Sequence, residues 1–205
     1  MLIHPWDAAQ DDAEWRTWLA RRDFGLLVAA GRDRTVPIVV PTHFVYDGAD
    51  TVLLHLARPN PVWRAVQENR HVVLSVTDDV AYIPSGWKEV GDDEPGHGIP
   101  TSYYAAVVMT CTAEVVTGDG LLDVLRTQLG HFEPGSAVAD PAVHRRKLAG
   151  IRGLRLTIDS AAAKFKFGGN ADDAHRARVA AELDSRGRLG DAAAADHLRR
   201  RTPPP

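Results

Sequence analysis

The chain has 205 residues, 44% of them hydrophobic, and a formal net charge of −3. That length fits one domain, or one domain with an extension, and the apolar share is enough for a real core. The slightly negative balance lacks the basic character that marks nucleic-acid binders, and a lone cysteine, Cys111, excludes an intramolecular disulfide and fits a reducing compartment. The N-terminus, MLIHPWDAAQDDAEW, is acidic and polar and does not read as a signal peptide. No apolar run approaches the ~20 residues of a membrane span. The expectation is a soluble cytoplasmic protein.

In chain order, Asp11 to Arg22 predicts a helix, with Trp15, Trp18 and Leu19 on one face. Short strands follow at Gly25 to Ala30, Pro37 to Tyr46, Thr51 to Leu56, His71 to Thr77 and Tyr104 to Val116. Turn signals such as GRDR and DGAD separate them. Strands linked by such turns suggest a barrel. Pro61 to Glu68 predicts a short helix inside this β series. Asp119 to His131 predicts another, with Leu121, Leu122, Leu125 and Leu129 on one stripe, and Asp140 to Leu148 a third. Between Ile83 and Pro100 lies a long glycine- and acid-rich loop, of a length that is usually functional or disordered. Leu154 to Ile158 is a late strand. Ala174 to Ser185 and Asp191 to Arg201 close the chain as polar, alanine-rich helices, and the tail TPPP reads as disordered. The expected organisation is a cofactor-binding domain over 1–170 and a helical extension over 171–205.

The stretch TVLLHLARPNPVWR, from Thr51 to Arg64, carries the most chemistry. A strand ends, His55, Arg58 and Asn60 follow, Pro59 and Pro61 fix the turn, and a helix begins. An arginine presents a planar fork of donors that matches a phosphate or carboxylate, and prolines pre-set the backbone that carries it. The plain alternative is a turn with an incidental surface arginine. Lys164 and Lys166 alternate with Phe165 and Phe167, which on a strand puts lysines on one face and rings on the other. They form either a cationic wall for an anion or an amphipathic edge. His43 and His55 sit in consecutive strands, where a neutral imidazole ligates iron, donates to flavin oxygens or simply completes a hydrogen bond. Tyr103 and Tyr104 offer a ring and a hydroxyl, and Thr101 a further hydroxyl. Cys111, inside VVMTCTAEVV, reads as a small buried hydrophobe. His97 reads as solvated, and HLRRR at His197 to Arg201 as a helix end that suits the macrodipole. No metal-ligand spacing, nucleophile elbow or glycine-rich phosphate loop appears.

Four blocks carry a resemblance: HLARPNPVWR (55–64), AYIPSGW (81–87), IPTSYYAAV (99–107), and IRGLRLTI (151–158) running on to AKFKFGGN (163–170). In this order they resemble the PaiB-type proteins, labelled FMN-binding negative transcriptional regulators. These belong to the split-barrel flavin-binding superfamily that includes the pyridoxamine phosphate oxidases. Where much of the family reads PTWNY this chain has PTSYY, and where it reads KLSQN this chain has KFGGN, so Gly168 and Gly169 replace two polar side chains. The resemblance implies a mainly β split barrel with peripheral helices, and a homodimer with FMN at the subunit interface. The implied cofactor-binding set is Thr42, His43, His55, Arg58, Asn60, Thr101, Tyr103, Lys164 and Lys166, with Arg58 on the phosphate. It names no catalytic residue. The first functional reading is an FMN-dependent oxidoreductase acting on a small molecule. The second follows from the family's likeness to piperazate synthases, which close an N–N bond in hydroxyornithine on heme b. His55, or else His43, is then the iron ligand. The third is a transcriptional regulator, for which the chain shows neither a helix-turn-helix signal nor a basic face.

Overall fold

Alternation of buried with more exposed residues builds strands such as Phe24–Ala29 and Thr51–Ala57, as a pleated sheet with one solvated face requires. The computed structural model describes residues 1–89, 94, 97–138 and 140–201. Helix α1 (Asp12–Leu19) leads into β1 (Phe24–Ala29), β2 (Ile38–His43), β3 (Val45–Tyr46) and β4 (Thr51–Ala57). Then come α2 (Val62–Glu68), β5 (His71–Ile83), β6 (Thr101–Val116), α3 (Asp119–Phe132), α4 (Arg145–Leu148) and β7 (Ile151–Lys166). Helices α5 (Asp173–Arg186) and α6 (Asp191–Arg200) follow. The seven strands hydrogen-bond in the order β2-β1-β5-β6-β7-β4-β3, and the chain divides into two compact units.

The larger unit holds residues Ala13–Val76 and Val108–Ala161. Its register is antiparallel throughout: Leu27 faces Val40 on one side and Leu74 on the other, and His55 on β4 faces Gly153 on β7. Leu27, Leu54, Leu74, Met109, Leu154 and Leu156 are fully enclosed. Each such side chain contributes about 1.5–3 kcal/mol by burial. Trp15, Trp18 and Leu19 of α1 are buried as their spacing predicts. Cys111 is buried too, and burial pushes its thiol up to about 12, so it stays a protonated hydrophobe. Two expectations change here. The predicted strand 37–46 is interrupted at Phe44, which is fully buried and whose N–H donates to the Asp23 carbonyl at 2.8 Å. The predicted helix 140–148 is a 3-10 turn over Pro141–His144 followed by the single turn of α4. Asp140, which accepts from the Ala142 N–H and pairs with Arg126, fixes that irregular start.

The smaller unit holds Met1–Asp12, Thr77–Val107 and Ala162–Pro205. Strand β5 continues past the predicted end at Thr77 to Ile83. The buried phase moves from Val72, Leu74 and Val76 to Asp79, Ala81 and Ile83, and Asp79 adopts φ 55°. One inserted residue of left-handed conformation is how a β-bulge shifts a strand's alternation. The Asp79 carboxylate is buried and meets His197 Nε2 at 2.9 Å. Asp172 caps α5 by accepting from the His175 N–H at 2.7 Å. Gly187 ends that helix in the left-handed conformation. Arg186 then grips the buried Asp191 at 2.8 and 2.5 Å, which fastens α5 to α6. The arginines of HLRRR are structural: Arg199 pairs with Asp184, and the buried Arg201 donates to the Ala8 carbonyl. The tail 202–205, and residues 90–93 and 95–96 of the long loop, lie outside the described residues. Within that loop Ser85–Trp87 form a 3-10 turn and His97 is exposed beside Glu94.

Candidate functional site

The turn after β4 is closed by its own polar groups. The Asn60 N–H donates to the Ala57 carbonyl at 3.0 Å, and Asn60 Oδ1 accepts from the Val62 N–H at 3.0 Å, where α2 begins. Trp63 Nε1 donates to the same Ala57 carbonyl at 2.8 Å and packs its ring inside. Asn60 therefore holds the turn, and the turn holds Arg58. The Arg58 N–H is bonded to the Gly150 carbonyl at 2.8 Å, while its guanidinium is exposed and makes one long hydrogen bond, 3.4 Å to the Ala149 carbonyl.

Arg58 opens onto a cleft of about 400 Å³ with Arg152, Ile151, Leu121, Leu122, Leu148 and the start of α3 at Gly118 and Asp119. Arg152 arrives there because β7 runs antiparallel to β4, which sets it opposite Leu56. Two guanidinium groups and the positive end of a 14-residue helix favour an anion, against the carboxylate of Asp119. Leu148 also lines a second cavity, of about 490 Å³, bounded by His43, His55, His144, Gln128, Glu133, Phe132 and further apolar side chains. That size and that mixture of apolar walls with few polar groups are typical of small-molecule sites.

The polar groups of this cavity are oriented. His55 Nδ1 donates to Gln128 Oε1 at 2.6 Å, which fixes the tautomer and leaves Nε2 with its lone pair. Gln128 is buried. His43 Nδ1 meets the Asp23 carbonyl at 3.2 Å, and its ring is held edge-on by Phe24 and Phe132. Thr42 is buried with its hydroxyl donating to the His43 carbonyl, so it holds the strand rather than facing the cavity.

The remaining expected residues gather in the smaller unit. Tyr103 is buried, and burial pushes its hydroxyl up to about 12, so it stays protonated. Lys166 Nζ donates to Thr101 Oγ1 at 2.6 Å. Lys164 is enclosed by the N-terminal segment: it donates to the Leu2 carbonyl at 2.9 Å and lies 3.8 Å from the buried Asp7 carboxylate. Phe165 and Phe167 are fully buried, as the alternation predicts. The KFGGN departure has a steric cause. Gly168 takes φ +69°, and a Cβ there would stand 2.8 Å from the Tyr103 hydroxyl; a Cβ on Gly169 would overlap the Trp6 carbonyl.

The structure thus joins His43 and His55 in one cavity, puts Arg58 in the adjoining cleft, and collects Thr101, Tyr103, Lys164 and Lys166 elsewhere. Sequence reasoning missed Gln128, His144 and Arg152. Arg152 lies inside the IRGLRLTI block, so its signal was available; Gln128 and His144 sit on surface-like helical stretches with none. Among the described residues no cluster of three or more His, Cys, Asp and Glu is arranged to hold a metal ion.

A family model described as "Putative FMN-binding domain" matches residues 1–160. The chain belongs to this family. It is similar to the protease synthase and sporulation protein PAI 2 of Bacillus subtilis (strain 168), with 23% identity over 175 residues and 82% of each chain covered. Among solved structures, the FAD and heme binding protein from Mycobacterium smegmatis matches with TM-score 0.60 and 20% identity, over 79% of this chain and 74% of that one. The flavocytochrome from Azotobacter vinelandii matches with TM-score 0.57 and 18% identity, over 80% and 71%. The fold is that of the flavin-binding split barrels: a seven-stranded antiparallel sheet with peripheral helices.

Proposed function

We propose that this chain binds FMN in the larger unit, with the phosphate at Arg58 and Arg152 and the ring system in the cavity of His43, His55 and Gln128. The observation that carries the reading is the junction of a two-arginine cleft with an apolar, histidine-lined cavity through the shared wall of Leu148. The donor set fits the group. Guanidinium forks suit a phosphate, Phe132 and the leucines suit a flat aromatic ring, and the free Nε2 of His55 suits a polar edge. FMN, when bound, supplies reversible one- and two-electron transfer. The protein orients it, and the apolar walls keep water from it. With such a cofactor the chain is an oxidoreductase acting on a small molecule.

A homodimer belongs to the same reading. Phe24, Leu26 and Val39 are exposed on neighbouring strands β1 and β2, where the pairs Leu26–Pro41 and Val28–Val39 lie side by side. A sheet face this apolar marks an interaction surface, and a second copy of the chain is the occupant proposed.

A heme reading has one observation in its favour. The hydrogen bond from His55 Nδ1 to Gln128 is the outer partner that an iron-ligating imidazole requires, and the cavity is apolar enough for a porphyrin. Heme b would be held by His55 through Nε2, with a propionate at Arg58, and the activity is then of the piperazate synthase type. Absorption of the purified protein, with mass spectrometry of the extracted chromophore, separates the two: flavin gives two broad bands and the FMN mass, heme a sharp Soret band. His55→Ala should abolish a Soret band but leave most of a flavin spectrum. Colourless protein that gains no chromophore from added FMN or hemin contradicts both.

A further inference from the structure

We propose that the smaller unit carries a separate oxyanion site, formed by Lys88, Tyr103, Lys166, His175 and Arg178, which takes the carboxylate or phosphate of a small-molecule ligand. Donors converge there in excess of acceptors. Lys88 Nζ lies 3.4 Å from the Tyr103 hydroxyl and 3.4 Å from His175 Nε2. Arg178 approaches the other nitrogen of the same ring, 3.2 Å from Nδ1, and donates to the Glu89 carbonyl at 2.6 Å. A neutral imidazole has one acceptor nitrogen, so it can satisfy one of these two cations and not both. Among the described residues, Lys166 has the Thr101 hydroxyl alone at hydrogen-bond distance.

Three carboxylates of the neighbourhood, Asp7, Asp172 and Asp173, have other main partners. Asp7 stands against Lys164, with a weaker pull from Lys166. Asp172 caps α5 at His175, and Asp173 pairs with Arg176. Among the described residues no carboxylate forms an ion pair with Lys88, Lys166 or Arg178. Lys88 is accordingly held below the ordinary lysine range, first by burial and then by Lys166 and Arg178. His175 is held down by burial and by Lys88 and Arg178. Burying like charges together without a counter-ion costs free energy, and an oxyanion relieves that cost at every member at once. The exposed edge of the site is Lys88, Lys166 and Thr101, which are only half-buried, whereas Tyr103 and His175 are buried. That hydroxyl stays protonated and so remains a donor.

The test uses the full chain carrying Arg58→Ala and Arg152→Ala, so that the arginine cleft takes no probe. Inorganic phosphate and acetate are each titrated by calorimetry at constant ionic strength, and the His175 imidazole resonances are followed by NMR. Saturable binding of either probe at one site per chain, with shifts at His175, is expected; the probe that binds identifies the ligand's charged group. Lys88→Met and Lys166→Met, which keep most of the aliphatic stem, should each weaken it tenfold or more. In the otherwise wild-type chain, Lys88→Met should leave FMN affinity unchanged. No saturable binding of either probe, or binding that both substitutions leave intact, overturns the proposal. A fall in FMN affinity in Lys88→Met also overturns it, by giving the cluster to the flavin phosphate. A variant that loses its circular-dichroism spectrum is replaced by Lys88→Arg, which should retain binding, and loss there contradicts the site.

Discussion

Arg58→Ala probes the phosphate clamp with little disturbance of the fold. The side chain is exposed and its one hydrogen bond, 3.4 Å to the Ala149 carbonyl, is long; the turn beneath it is held by Asn60, Trp63 and the Arg58 backbone. Its loss should leave the thermal midpoint within the scatter of ordinary surface changes. Against FMN, a charge-assisted hydrogen bond to phosphate contributes about 1.5–3 kcal/mol, or roughly ten- to a hundredfold in affinity. Riboflavin has the same ring and no phosphate. Fluorescence titration should therefore show FMN affinity falling by that factor while riboflavin affinity stays put. Arg152→Ala should act in the same direction, with some added cost from its stacking near Trp63. Unchanged FMN affinity in Arg58→Ala, or an equal fall for riboflavin, would refute the clamp.

Gly169→Ala should destabilise the fold by about 1–3 kcal/mol, because its Cβ would overlap the Trp6 carbonyl; a denaturant midpoint equal to wild type would contradict this. Asp191 is held below the usual carboxylate range, first by its hydrogen bonds to Arg186. A carboxylate with a lowered folded-state value stabilises fully above the ordinary value of 3.8 and loses that contribution as pH falls through the lower one. Asp191→Asn should then cost about 1.5–3 kcal/mol at neutral pH and flatten the acid limb of the stability profile in urea titrations. Light scattering should give about twice the 22.3 kDa chain mass, and Leu26→Asp, at an exposed position on β1, should reduce it to the monomer; a wild-type monomer that still binds FMN would sink the dimer.

The strands were legible because alternation in segments such as Phe24–Ala29 and Thr51–Ala57 has a period that helices cannot share. The extension of β5 was not, because two consecutive aspartates are poor strand formers and the His197 that meets the buried Asp79 lies far along the chain. Arg58 could be singled out because local chain chemistry, a strand end with flanking prolines, sets its position. Gln128 reaches the site through packing between segments far apart in sequence, which no local pattern records, whereas Arg152 lies inside the IRGLRLTI block and is set at the site by the pairing of β7 with β4. The alternation of Lys164 and Lys166 was read correctly for their aromatic neighbours. It could not reveal that the N-terminal segment returns to cover Lys164.

A crystal structure of the chain soaked with FMN tests the central claim most directly. The account predicts the phosphate within hydrogen-bond distance of Arg58 and Arg152, and the isoalloxazine in the cavity of His43, His55 and Gln128. Flavin density that leaves this cavity empty, with the phosphate instead among Lys88, Lys166 and Tyr103, would contradict it.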